Sequence, residues 1–471
     1  MISRLSLLAV LALAAMFAAP AEGRDAGQGG LSRPPAAIGE LVQLSGSSGC
    51  LVDRSRQTGR CTRARVLRGP GPFLGSNAIA ISPDAKHAYV ASSNSDAIAV
   101  FKRSSKTGAL SQASGADGCV AERGAAGCAT AVGLHGPNSV AVSADGRNVY
   151  ATSVDSNAVT GFSRNRSTGA LTQIDSGGCI ASAAARGCAP GRALDGPDVV
   201  TVSPDGENVY VGAFKGNAVA VFARNPSTGA LTQPADTTGC VTDTPTTGCA
   251  TGLALAAPEG MAISADGDNV YVAAANSSAV DVFTRDPATG ALAQATDGSG
   301  CIVDRDRPEC TTGRQLGGAN AVAVGPDDGN VYVTSLLSNS VTTFTRGRPG
   351  GGLTQLEGTT GCVVYLAAVG CSLGQAMSAP EGLAVSPDGA NVYAAAFESG
   401  SVDVLDRDPD SGTLVQKPRR AGCVAVSSTP NCTPGRRLLG VSSLAVSPDG
   451  RYVYATAFTS SAVAVFERAT G

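Results

Sequence analysis

Residues 138–175 read NSVAVSADGRNVYATSVDSNAVTGFSRNRSTGALTQID. Runs rich in Val, Thr, Tyr and Phe alternate with clusters of Asp, Asn, Ser and Gly. Branched and aromatic residues suit a pleated strand, and the punctuating residues supply side-chain bonds and positive φ for tight turns. The stretch therefore predicts four short strands: a at NSVAVS, b at NVYATSV, c at AVTGFSR and d at ALTQID. No helical period competes with this pattern.

The same unit recurs along the chain. The strand-b tyrosine returns as Tyr89, Tyr150, Tyr210, Tyr271, Tyr332, Tyr393 and Tyr454, with every interval 60 or 61 residues. A second aromatic series runs Phe101, Phe162, Phe222, Phe283, Phe344 and Phe466, with Leu405 in the sixth copy. A four-stranded unit repeated this often is the signature of a β-propeller. The expected fold is all-β, with seven blades of four antiparallel strands starting near residues 77, 138, 198, 259, 320, 381 and 442. The last copy stops before its strand d, and residues 39–44 (GELVQL) match what is missing. The N-terminal strand is thus expected to complete blade seven, which removes open sheet edges and makes residues 39–471 one domain.

Composition narrows the class. The chain has 471 residues, 43% of them apolar, a net charge of −3 and no Trp. That apolar content excludes a disordered chain, and the charge gives no reason to expect a nucleic-acid partner. Residues 1–21 read as a secretion signal: Arg4, an apolar run from Leu5 to Phe17, then Ala19-Pro20-Ala21. Residues 22–38 read as a flexible lead-in, and no later segment approaches a membrane span. A secreted or periplasmic monomer is expected.

Fourteen cysteines follow the same beat: Cys50/Cys61, Cys119/Cys128, Cys179/Cys188, Cys240/Cys249, Cys301/Cys310, Cys362/Cys371 and Cys423/Cys432. Metal binding would need clustered ligands and histidines, and the chain has only His87 and His135. Disulfides fit the export signal and the even count. Pairing within each insert is the simplest connectivity, with bridges between adjacent blades as the alternative. Each insert is read as a d-to-a connection, so one face should carry seven stapled loops.

Strand b and its sequel, as in VYVTSLLSNSVTTF at 331–344, together with GPNSVAVSADG and APEGLAVSPDG, resemble the YVTN-type repeat. They are similar to the blades of the seven-bladed lactonase family that includes 6-phosphogluconolactonase-like proteins. The resemblance implies the propeller fold and admits lactone hydrolysis as the activity.

Three groups of residues are candidates for function. The first residues of strand a are Asn77, Asn138, Asp198, Glu259, Asn320, Glu381 and Ser442. They form a ring of oxygen donors at the channel mouth, the ligand type preferred by calcium; polar lining of a water-filled channel is the plainer reading. His135, three residues before Asn138, is the histidine available to that face, where Asp198 and Asn77 are its expected neighbours for general-base work. Arginines gather in the inserts flanking blade seven, with Arg54, Arg56, Arg60, Arg436 and Arg437 as candidate contacts for an anionic small molecule, a glycan or a protein. The leading expectation is a binding module acting through its stapled face. The alternative is a lactonase-like hydrolase at the channel mouth, with calcium as its candidate cofactor.

Overall fold

The computed structural model describes residues 37–470 apart from 58, 72–76, 183–186 and 427–428. The expected secretion signal and nearly all of the lead-in lie outside the described residues. Regular structure consists of strands and short 3-10 turns, arranged in seven separate sheets. Arg33–Gly471 form one compact unit. Among the described residues no helix is long and apolar enough to cross a membrane.

Blade two shows the common plan. Strand a is Pro137–Val142, strand b Asn148–Ser153 and strand c Ala158–Arg164, paired antiparallel in that order. The expected simple strand d is split. Leu171–Gln173 covers one half of strand c, pairing Phe162 with Gln173 and Arg164 with Leu171. Cys179–Ala181 covers the other half, pairing Thr160 with Cys179. Ala189–Pro190 then adds a short parallel strand e against Ile180 and Ala181. The four-stranded antiparallel blade and the purely connecting insert are therefore corrected. Strand c has seven residues, and the TGALTQ stretch satisfies only half of its outer backbone groups. The rest need partners, which the first part of the cysteine insert provides.

Ring closure follows the sequence expectation. Leu41 pairs with Arg468 and Gln43 with Phe466, while Cys50 pairs with Ala464 and Val52 with Ala462. The N-terminus thus supplies both halves of strand d in blade seven, and Thr62–Ala64 supplies strand e.

All seven disulfides close within their own inserts: Cys50–Cys61, Cys119–Cys128, Cys179–Cys188, Cys240–Cys249, Cys301–Cys310, Cys362–Cys371 and Cys423–Cys432. Their Cα–Cα distances are 4.6 Å at Cys179–Cys188 and 4.8 to 5.0 Å elsewhere. The pairing is the expected one, but the setting of the sulfurs differs from a loop staple, and that reading is corrected for both partners. Each first cysteine opens the second half of a strand d. Each second cysteine, namely Cys61, Cys128, Cys188, Cys249, Cys310, Cys371 and Cys432, lies outside the strands and immediately precedes strand e. Cys61, Cys128, Cys249, Cys310 and Cys432 are buried, and Cys188 and Cys371 half-buried, rather than displayed on an open loop. The physical reason is the parallel pairing of strand e, which brings the second sulfur down onto the sheet edge beside the first.

The core lies between blades. One cluster joins Tyr210, Val219 and Val221 of blade three to Met261, Val270, Val272 and Phe283 of blade four. The periodic tyrosine also carries a polar seam. Tyr210 Oη donates to the Gly290 carbonyl at 2.8 Å and accepts from Arg285 Nε at 2.9 Å. Arg285 Nη2 then reaches Asp205 Oδ2 of the SPDG turn at 2.5 Å. The same Tyr–Arg–Asp seam recurs at all seven junctions, through Arg103, Arg164, Arg224, Arg285, Arg346, Arg407 and Arg468. Seven buried cations each meet a carboxylate and a phenol, the arrangement that makes burying a charge tolerable.

Blade one departs from the plan. Pro70 bridges Ser92 as Pro137 pairs with Ser153. Yet Pro70 precedes Tyr89 by 19 positions, whereas Pro137 precedes Tyr150 by 13. The sequence of blade one thus holds six more residues between these two points than that of blade two.

Candidate functional site

The ring residues occupy β-bulges. In blades two to seven the a–b register skips one residue after the strand's first position, and the skipped residues are Asn138, Asp198, Glu259, Asn320, Glu381 and Ser442. A bulge leaves its extra residue out of the ladder and re-aims its side chain. The repeat places one polar side chain per blade in this way.

The ring is not lined by open water. Glu259 and Asn320 are 0% exposed and Asp198 is 5% exposed, while Asn77 is half-buried. Neighbouring a strands approach closely: Val140 N donates to Asn77 O at 2.9 Å, and Ser443 Oγ accepts from Ala78 N at 3.1 Å. A Cβ on Gly260 would lie 2.4 Å from Asn320 O, and one on Gly382 would lie 2.5 Å from Ser442 O. Glycine at these two positions permits the approach. The most open side of the ring lies over blades one to three, at Asn77, Asn138 and Asp198.

Burial without full pairing sets the chemistry. Asn138 Nδ2 donates to Asp198 Oδ1 at 2.7 Å, and Thr334 Oγ1 donates to Asn320 Oδ1 at 2.8 Å. Asn138 Oδ1, Asp198 Oδ2 and both carboxyl oxygens of Glu259 are buried with no hydrogen-bond partner. Such orphaned atoms cost free energy in a folded protein and gather where a proton, water or ligand is handled. Burial raises the Asp198 carboxyl to about 7, partly offset by the Asn138 bond. Burial, then the charges of Asp198 and Glu381, push Glu259 well above the usual carboxylate range. Among the described residues no three His, Cys, Asp or Glu side chains converge to hold a metal ion. A calcium ion on this ring would have to rest chiefly on carboxamide and backbone oxygens.

His135 lies on the exposed rim, with 61% of its side chain accessible, and its partner is Asp96. Nδ1 sits 2.8 Å from Asp96 Oδ1, which also accepts from Gly136 N at 2.9 Å. The expected pairing with Asp198 or Asn77 is thus corrected. Asp96 comes from the b–c link of blade one, where it holds a φ of +50°. Its position in the repeat is taken by Asn157, Asn217 and Asn339 in other blades, which also cap the link into the next strand a. His87 belongs to the scaffold. It is 1% exposed, and Nδ1 accepts from Arg164 Nη2 at 2.7 Å.

The arginine group divides. Arg436 donates to the carbonyls of Leu44 and Gly46, and Arg437 to that of Gln57. Arg65 and Arg314 make the same kind of stitch to the next blade. Arg436 and Arg437 therefore tie the closing seam, which corrects their reading as free ligand contacts. Arg54, Arg56 and Arg60 are exposed. A cavity of about 810 Å³ lies between blades four and five, lined by residues including Arg314, Gln355 and Glu357. It contains none of the orphaned polar atoms, so the ring remains the chemically distinctive place.

A family model, the lactonase seven-bladed β-propeller, matches residues 70–181 and 200–300. The chain has the fold of a seven-bladed propeller and is similar to the lactonase family over those stretches. Solved structures agree in fold. A periplasmic gluconolactonase from Pseudomonas aeruginosa superposes with a TM-score of 0.51 at 19% identity, covering 84% of this chain and 96% of that one. A protein from Lactobacillus plantarum gives 0.50 at 18%, covering 77% and 87%. No curated protein matches the sequence.

Sequence reasoning located the ring but missed two features. The strand-c arginine was legible as a basic residue recurring two positions after Phe162, Phe222 and Phe283. Asp96 left no signal, because its blade-to-blade counterparts are mostly Asn or Ser.

Proposed function

We propose that this propeller hydrolyses lactones on the open side of its polar ring, with Asp198 as general base. The orphaned, buried oxygens of Asn138, Asp198 and Glu259 carry this reading. A base near neutrality needs a carboxyl whose pKa has been raised, and Asp198 stands at about 7. In the proposed reaction a water oxygen attacks the lactone carbonyl carbon as its proton passes to the Asp198 carboxylate. The ring C–O bond then breaks, and the departing oxygen takes the proton back from the Asp198 carboxyl, which regenerates the carboxylate. Asn138 orients Asp198 through its 2.7 Å bond, and His135 with Asp96 forms the rim over which substrate enters. Seven disulfides fit an exported protein working in an oxidising compartment.

A panel of γ- and δ-lactones followed by pH-stat tests the activity. Turnover is expected to climb as pH rises through about 7 and to fall at least 100-fold in Asp198→Asn, with a much smaller loss in His135→Ala. Elemental analysis and EDTA treatment decide whether calcium takes part. No turnover on any lactone, or an undiminished rate in Asp198→Asn, overturns the reading.

A further inference from the structure

A second pocket lies where the ring of blades closes. It encloses about 440 Å³ and is lined by Ser55, Arg56, Arg68, Asn94 and Ser461. Its walls come from four segments: the first cysteine insert, the link into blade one, and the b–c links of blades one and seven. It therefore exists only because the N-terminus completes blade seven.

The charge on this pocket is unusual for the molecule. Each strand-c arginine is buried against a carboxylate. Arg56 and Arg68 are exposed, and among the described residues neither forms an ion pair. Their bonds go to backbone carbonyls: Arg56 Nη2 to Thr459 O at 3.3 Å and Arg68 Nη2 to Asn94 O at 2.6 Å. Each guanidinium has five N–H donors and so keeps several in reserve. Among the described residues no carboxylate lines the pocket. The nearest acid in the insert, Asp53, is buried and committed, with Oδ1 on Ser55 N at 3.0 Å and Oδ2 on Leu67 N at 2.9 Å.

Its place in the repeat is equally specific. The first insert has ten residues between its cysteines, where the others have eight. The position of Arg68 is held in later blades by His135, Asp195, Ala256, Gly317, Ser378 and Leu439. Arg56 and Arg68 thus line one pocket at this junction.

We propose that this pocket is a binding site for a tetrahedral oxyanion, a phosphate or sulfate group. Arg56 and Arg68 grip its oxygens, and the polar side chains of Asn94 and Ser461 complete the lining. Arginine suits this task because its planar fork donates two parallel hydrogen bonds to such a group. The site is independent of lactone hydrolysis, and it gives the basic region a defined centre distinct from the structural Arg436 and Arg437.

Isothermal titration of the purified protein tests it, using inorganic phosphate, sulfate, glucose 6-phosphate and neutral glucose as probes. Saturable binding of phosphate and sulfate is expected, weakening with added NaCl, with none for glucose. Tighter binding of glucose 6-phosphate than of phosphate assigns the site to a phosphorylated sugar; equal binding assigns it to the free ion. Arg56→Ala/Arg68→Ala should weaken binding at least tenfold, and Arg63→Ala, exposed on the same insert but outside the pocket, should leave it unchanged. Circular dichroism and the melting temperature confirm that each variant is folded. Absence of saturable binding by the wild-type protein, or equal weakening in Arg63→Ala, overturns the proposal.

Discussion

The turn-side seams and the polar ring are built from the same seven repeats, yet one is uniform and the other is not. Every seam has the same Tyr, Arg and Asp, and every member is satisfied. The ring instead reads Asn, Asn, Asp, Glu, Asn, Glu and Ser, and several of its buried oxygens lack partners. A residue that holds a propeller together is needed once per blade, so it repeats. A residue that handles a ligand is needed once per molecule, so it breaks the repeat and tolerates poor pairing.

Breaking a seam should have the largest effect. Arg285→Met takes the cation away from the exposed Asp205 carboxylate, the buried Tyr210 hydroxyl and the buried Asn208 carboxamide, and losing these charge-assisted hydrogen bonds together should cost about 3 kcal/mol. Tyr210→Phe removes one hydroxyl and should cost only about 1 to 2 kcal/mol. Denaturant unfolding of both variants checks the ranking. A cost below about 1 kcal/mol for Arg285→Met would show that the seam is not what holds the blades.

The ring should respond with the opposite sign. Asp198 titrates near 7 in the folded protein and near 3.8 unfolded. Stability from its neutral form is therefore complete below pH 3.8 and is lost as pH rises through about 7. Asp198→Asn keeps a neutral side chain at every pH, so at pH 8 it should be more stable than wild type by roughly 2 to 4 kcal/mol, with no gain at pH 4. Glu259→Gln should act in the same direction. Gaining stability while losing activity is the signature of a functional group held at a structural cost. Loss of stability at pH 8 would place Asp198 among the scaffold residues.

This contrast also accounts for what could be read from sequence. Blade number, closure by residues 39–44, cysteine pairing within inserts and the ring positions all follow from period, and period survives in a linear string. Strand e did not, because two residues such as Ala189–Pro190 carry no strand signal. The His135–Asp96 contact was hidden for a different reason. It joins a d–a link to a b–c link of the preceding blade, and nothing in local pattern specifies which side chain fills that link. Opening one staple should show how local its role is. Cys119→Ser/Cys128→Ser frees a ten-residue loop worth about 2.5 kcal/mol of denatured-state entropy, and the seams should keep blade one folded. Amide exchange would then rise only in residues 119–131, whereas exchange throughout the blade would show that the staple, and not the seam, holds it.

The smallest expected effect comes from one of the two seams that depart from the pattern, the other being blade seven, where Tyr452 lies under Arg103. Asn148, Asn208, Asn269, Asn330 and Asn391 each accept a hydrogen bond from the seam arginine of the next blade; in blade one His87 does so. Burial, then the Arg164 charge, lower the His87 pKa to about 4, against 6.5 for an ordinary histidine, with Asp84 opposing and Lys86 and Lys102 assisting. The unfolded chain therefore binds a proton between pH 6.5 and 4 that the folded protein refuses. Stability is complete above pH 6.5 and lost as pH falls toward 4, by about 2 kcal/mol at pH 5. His87→Asn should match wild type at pH 7.5 and exceed it at pH 5 by about that amount. Asp84, lowered to about 2 and paired with the same arginine, loses its contribution only below pH 3.8, so the two components separate on the pH axis. If His87→Asn is instead destabilised at about pH 7.5, the imidazole fills a space that asparagine cannot, and the first seam is not interchangeable with the five that carry asparagine.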